Sequence, residues 1–246
     1  MAYGFRWLRS FLFIIQMYLM MFVLALFFAP MAVISRVWAF HGVHTYCNWV
    51  RWTARWMIGL KTEIRGNVPD GEALVCSKHQ SFLDIIIIVS VLPRPKFIMK
   101  AELRFAPILG YFALRIGCVP VHRGRKTKAV KQMIDGVAAS RHTPGQLIIF
   151  PQGTRVAPGA YLPYKIGQGI LYEGLRQPCI PVATNVGVFW PRHGIIRKPG
   201  LAVIEFLPVI EPGKPVPDFM AEIETSIETA SNRLMTEAGF DMDRSP

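Results

Sequence analysis

Ala73-Leu74-Val75-Cys76-Ser77-Lys78-His79-Gln80-Ser81-Phe82-Leu83-Asp84 is the stretch that decides the fold. Ala73–Cys76 is a short apolar run of strand length, and Phe82–Leu92 is an apolar run stopped by Pro93. Ser81-Phe82-Leu83-Asp84 has the spacing of a capping box, in which the residue at each end serves the backbone of the other. That signature predicts a buried helix for the second run, although Ile85-Ile86-Ile87-Ile88-Val89 alone would suit a strand. The loop between the two carries His79, and Asp84 follows five residues later. An imidazole with a carboxylate one helical turn on has the makeup of a general base and its orienting partner. Asp84 has a plainer reading as a helix cap alone, and Ser81 is sufficiently explained as the N-cap. The chain carries neither a Gly-x-Ser-x-Gly elbow nor a His-Glu-x-x-His helix.

The alternation continues outward. Phe97–Met99, Cys118–His122, Gln146–Phe150, Ile180–Val188 and Leu201–Val209 read as further strands. Arg125–Arg141, Gly167–Arg176 and Asp218–Ala238 read as helices. The expected fold is α/β, a central, mostly parallel sheet flanked by helices, with an N-terminal helical membrane anchor. The anchor takes residues 1–60, and the α/β domain takes residues 61–246.

Phe11–Ile34 is almost wholly apolar, broken only by Gln16 and Pro30. As a helix it would reach about 36 Å, enough to cross a hydrocarbon core. It is too long for a signal peptide, and no small-residue cleavage site closes it. Trp49, Trp52 and Trp56 then recur on one helical face, with Arg51 and Arg55 pointing away. That stripe suits a helix lying in the headgroup region, and packing against the catalytic domain is its other reading. Arg6 and Arg9 precede the apolar run, and Arg36, Arg51, Arg55, Lys61 and Arg65 follow it. With positive charge on both flanks, a re-entrant pair of helices kinked near Pro30 competes with a single span. The expected location is a membrane, the bacterial inner one, with the catalytic domain on its cytoplasmic side.

A net charge of +12 points to anionic partners. Phospholipid headgroups and phosphorylated substrates fit an anchored chain better than nucleic acid, for which no zinc-finger spacing, RNP-like aromatic motif or helix-turn-helix pattern is present. Cys47, Cys76, Cys118 and Cys179 form no Cys-x-x-Cys pair and have no accompanying His cluster, which points away from a zinc site or a disulfide frame.

Two more strand ends carry cations. Gly117-Cys118-Val119-Pro120-Val121-His122-Arg123 delivers Arg123 where α/β folds put ligand-binding groups. Phe150-Pro151-Gln152-Gly153-Thr154-Arg155 leaves another strand. There Gly153 permits close backbone approach to an anion, Thr154 offers a hydroxyl and Arg155 a two-pronged fork for phosphate. Lys165 adds a further positive charge. A tight turn with one exposed arginine is the plainer alternative.

Together with His79 and Asp84, these segments resemble the glycerolipid acyltransferase family, whose signatures are a His-x-x-x-x-Asp box and a Phe-Pro-Glu-Gly-Thr-Arg box. The resemblance runs from residue 72 to about residue 188. It is specific in the first and third boxes and looser in the second, Gly117 to Arg123, and the fourth, Ile180 to Val182. It implies that His79 is the catalytic base and that Asp84 orients it. It further implies that Arg123, Gly153, Thr154 and Arg155 hold the acceptor's phosphate, that Gln152, in the third box, belongs to the substrate site, and that Pro181 lies in the box associated with the acyl donor; Lys165 joins the substrate site by its charge alone. The implied reaction moves a fatty acyl group from acyl-CoA or acyl carrier protein to the sn-2 hydroxyl of 1-acylglycerol 3-phosphate (lysophosphatidic acid). Phosphatidic acid results, with no metal and no cofactor beyond the acyl donor. Backbone N–H groups at the start of the Phe82 helix are the expected oxyanion donors. Two residues depart from the boxes: Lys78 stands where Asn often precedes the histidine, and Gln152 stands where the third box has Glu. Other acceptors stay open, among them a larger lysophospholipid, glycerol 3-phosphate or an acylated amino acid. So does an inactive lipid-binding homologue, whereas a hydrolase would need a nucleophile or a metal.

Overall fold

The computed structural model describes residues 2–122, 133–137 and 144–242. Its strands are β1 (Leu60–Arg65), β2 (Ala73–Ser77), β3 (Pro95–Lys100), β4 (Val119–Val121), β5 (Gln146–Ile149), β6 (Cys179–Thr184) and β7 (Gly200–Phe206). They join one sheet in the order β1-β7-β6-β2-β5-β3-β4. Only β6 and β7 pair antiparallel, so the sheet is mostly parallel, as expected. The helices are α1 (Ala2–Ile34), α2 (Arg36–Met57), α3 (Phe82–Val91), α4 (Leu109–Arg115), α5 (Gly167–Leu175), α6 (Val186–Phe189) and α7 (Val216–Glu237), with a 3-10 turn at Ala101–Phe105.

The sheet is covered on both faces, which is why its central strands are buried along their whole length. In β2, Ala73 and Val75 face the core shared with α1, α2 and α3, while Leu74 and Cys76 face the core shared with α5 and α7. Helix α3 is apolar on every side because it lies between the sheet and α2. Its Leu83, Ile86, Ile87 and Ile88 are all buried, each contributing about 1.5–3 kcal/mol. The isoleucine run is therefore helix and not strand, started by the capping box and stopped at Leu92 before Pro93.

Helices α1 and α2 form an antiparallel hairpin. The apolar helix runs through Pro30 and the chain reverses at Ser35, not at the proline. Ser35 is extended, and its hydroxyl accepts from Val37 N to start α2. Gln16, the polar interruption of the apolar run, bridges the hairpin: it bonds Thr53 Oγ1 at 3.1 Å and accepts from Trp49 Nε1 at 2.8 Å. At the open end of the hairpin Arg9 Nε donates to Met57 O at 2.5 Å, and at the closed end Arg115 of α4 donates to the carbonyls of Ala32 and Val33 that terminate α1. Trp52 and Trp56 are exposed, whereas Arg51 turns inward to Thr62 Oγ1 and Ser90 Oγ, each at 2.9 Å. Among the described residues α1 is the one helix long and apolar enough to cross a membrane, and its outer face exposes Phe22, Leu26 and Phe27.

Several elements differ from expectation. The Ile180–Val188 run is not one strand. β6 stops at Thr184, where Thr184 Oγ1 accepts from Val186 N and Asn185 bonds Val203 N and Leu234 O, turning the chain into α6. β7 ends at Phe206, short of Val209, just before Pro208. β1 was not expected; it lies at the sheet edge beside β7, which is why polar Lys61, Thr62 and Glu63 suit it. Of the helix expected over Arg125–Arg141, residues 133–137 are helical and the remainder lies outside the described residues.

Candidate active site

Strands β2, β5 and β6 run parallel, so their C-terminal ends open on one edge of the sheet. His79 leaves β2 there, Phe150 leaves β5, and Thr184 ends β6. His79 Nδ1 lies 3.1 Å from Asp84 Oδ2. The same oxygen accepts from Gln80 N at 2.6 Å and Ser81 N at 2.7 Å, and Oδ1 accepts from Thr184 Oγ1 at 3.3 Å. The two readings of Asp84 are thus one structure: the carboxylate that caps α3 is the carboxylate that meets the imidazole. Asp84 is 0% exposed and His79 13%. A carboxylate that takes two backbone N–H groups on Oδ2 acts as an acceptor, which makes Nδ1 the donor; in the neutral imidazole the lone pair is then on Nε2.

The third box holds the imidazole from its other side. The Phe150 ring stacks on His79 with centroids 4.0 Å apart and planes 19° apart, and Phe97 stacks on Phe150 at 6.0 Å. Val156 N donates to His79 O at 2.7 Å, tying the end of the loop to the histidine backbone. Gly153 sits at φ +70, a left-handed conformation that glycine takes without strain. A Cβ there would lie 2.6 Å from Lys165 Nζ, so the ammonium rides over the glycine. Thr154 and Arg155 are half-buried on the same loop, and Arg155 O accepts from Arg192 at 3.3 Å. Gln152 is buried; its Nε2 donates to Glu228 Oε1 at 3.3 Å, while its Oε1 has no partner among the described residues.

Pro181 lies one strand away from the catalytic corner, paired in register with Cys76 inside the sheet, and its carbonyl accepts from Leu207 N. β4 ends on the same edge as β2; Arg123, just beyond it, lies outside the described residues. The expected oxyanion donors at the start of α3 are largely taken: Gln80 N and Ser81 N serve Asp84, and Leu83 N serves Ser81 Oγ. Thr184, which bonds Asp84, and Phe150, which stacks on His79, are contacts that the motif spacing did not single out. Among the described residues no three His, Cys, Asp or Glu side chains gather as a metal site.

An apolar cavity opens between α1, α2, α3 and α4. Met21, Gly42, Tyr46, Phe82, Phe97 and Phe112 are among its walls, and its surface is almost free of polar atoms. Phe97 continues, through Phe150, into the stack that ends on His79. His79 thus sits at the junction of a cation-bearing loop and an apolar cavity.

This architecture is that of an acyltransferase. Residues 60–185, about half of the chain, match the Acyltransferase family model, and the chain belongs to that family. It is 26% identical over 197 residues to a 1-acyl-sn-glycerol-3-phosphate acyltransferase of Pseudomonas aeruginosa, covering 79% of this chain and 77% of that one. It is also 26% identical over 194 residues to a 1-acyl-sn-glycerol-3-phosphate acyltransferase alpha of Mus musculus, covering 76% and 68%. The crystal structure of the 1-acyl-sn-glycerophosphate (LPA) acyltransferase PlsC from Thermotoga maritima superposes with a TM-score of 0.77, over 93% of this chain and 97% of that one. At 19% identity that is a likeness of fold.

Proposed function

We propose that this chain acylates the sn-2 hydroxyl of 1-acylglycerol 3-phosphate with a fatty acyl group from an acyl thioester, giving phosphatidic acid. The observation that carries the reading is the His79–Asp84 pair, in which Nδ1 lies 3.1 Å from the carboxylate; in the neutral tautomer that donates there, Nε2 has the lone pair. Nε2 takes the hydroxyl proton as the oxygen attacks the thioester carbonyl. The C–S bond breaks, the thiolate leaves as thiol, and the histidine proton goes with it. No acyl-enzyme is formed. Two substrates held side by side give the rate.

Gly153, Thr154, Arg155 and Lys165, with Arg123, hold the acceptor's phosphate on this reading. The apolar cavity takes the acyl chain, and either acyl-CoA or acyl carrier protein brings it. The hairpin of α1 and α2 enters the bilayer from one side, so the lipid acceptor never leaves the membrane. The catalytic domain works at the cytoplasmic face of a bacterial inner membrane. Because α1 and α2 pack as one core with α3, residues 1–60 act as anchor and acyl-chain wall at once. The test is thiol release and lipid product with purified membranes, two donors and an acceptor panel. Phosphatidic acid from lysophosphatidic acid is expected. Product from other acceptors alone would reassign the substrate, and no thioester-dependent product would leave a lipid-binding homologue.

A further inference from the structure

Lys78 and Gln152, the two residues that depart from the family boxes, meet at one carboxylate on the C-terminal helix. The Lys78 side chain is 1% exposed and its ammonium pairs with Glu228 Oε2. Gln152 Nε2 donates to Glu228 Oε1 at 3.3 Å, and Tyr164 Oη donates to the same oxygen at 2.9 Å. Burial and the charge of Glu228 push the Tyr164 phenol up, which keeps it a donor. Lys78 directly precedes His79, and Gln152 follows by two residues the Phe150 whose ring lies on His79. Glu228 therefore grips the chain on both sides of the imidazole. Its helical neighbours reach the same corner: Ser231 Oγ accepts from Thr184 N at 3.2 Å, and Gln80 Nε2 reaches Met235 Sδ at 3.2 Å.

We propose that Glu228 is a positioning residue for acyl transfer: from α7 it supplies the carboxylate that the third box lacks at position 152, and it clamps Lys78 and Gln152 so that Phe150 stays against His79. The proposal rests on the acyltransferase reading above and deepens it. Removing the charge by Glu228→Gln leaves a buried ammonium without its partner. Adding one by Gln152→Glu sets two carboxylates against each other.

The experiment is a double-mutant cycle of Gln152→Glu and Glu228→Gln, reading kcat, both KM values and melting temperature. Each single change is expected to lower kcat about tenfold, well below its melting transition, with the thioester KM little changed. The exchanged pair again holds one carboxylate and one amide, and its kcat is expected to return to within about threefold of wild type. Where a single variant fails to fold, recovery of folding and turnover in the exchanged pair carries the test. Singles that melt lower but keep wild-type kcat overturn the proposal. An exchanged pair as poor as the two changes combined overturns it too. Wild type assayed alongside separates the two ideas. If it makes no phosphatidic acid the function reading fails, whereas product with no coupling removes only the clamp.

Discussion

Two carboxylates stand behind His79, and the chain delivers them in opposite ways. Asp84 collects its imidazole and two backbone partners from within five residues and reaches only Thr184 from afar. Glu228, 17% exposed, collects Tyr164, Gln152 and Lys78 from 64, 76 and 150 residues away. The first corner is built by the start of one helix and would exist wherever that helix forms. The second exists only once α7 has docked on the sheet. One corner is thus encoded locally, while the contacts of the other depend on the far end of the chain.

Breaking the local corner gives the largest effect. Asp84→Ala is expected to lower turnover about 10³-fold, because the histidine loses the group that fixes its tautomer and orientation. It also removes a helix cap, so stability should fall by about 1–2 kcal/mol, read by denaturant unfolding. A variant that melts lower yet turns over normally would reduce Asp84 to a cap. Arg155→Ala should act on binding, raising the acceptor KM by about tenfold or more with the thioester KM near its wild-type value. Equal increases in both would remove Arg155 from the phosphate site. Phe150→Leu keeps an apolar side chain but loses the ring stack, worth about 0.5–1.5 kcal/mol, and should lower kcat several-fold at unchanged fold. Thr184→Val removes one donor from Asp84 and the acceptor of Val186 N; a drop in kcat of about threefold is expected, with some loss of stability at the start of α6. If Thr184→Val matched Asp84→Ala, the corner would be less local than its geometry implies.

The same contrast explains what could be read in the chain. His79, Asp84 and the cap at Ser81 were legible because their bonds span five residues or fewer. The parallel sheet was legible because β2, β5 and β6 are buried on both faces and leave plain apolar runs. β1 was not, since an edge strand tolerates Lys61, Thr62 and Glu63 and leaves no such run. Thr184 was hidden inside the apolar stretch Ile180–Val188, whose break at Asn185 is made by bonds to Val203 and Leu234 on other elements. The hairpin turns at Ser35 rather than Pro30: α1 runs on through the proline, while Ser35 is extended and its hydroxyl caps the start of α2. Gln152 sits in a box that spacing alone identifies, but the partner of its amide lies on α7 and leaves no local trace.

The most direct test of the account is single-turnover thiol release from an acyl thioester, with and without lysophosphatidic acid, by wild type and by His79→Gln. Release that requires the acceptor in wild type, no acylated protein at any time, and a fall of about 10³-fold or more in the variant are expected. Acceptor-independent thiol release with an acyl group left on the protein, or undiminished transfer by His79→Gln, would contradict it.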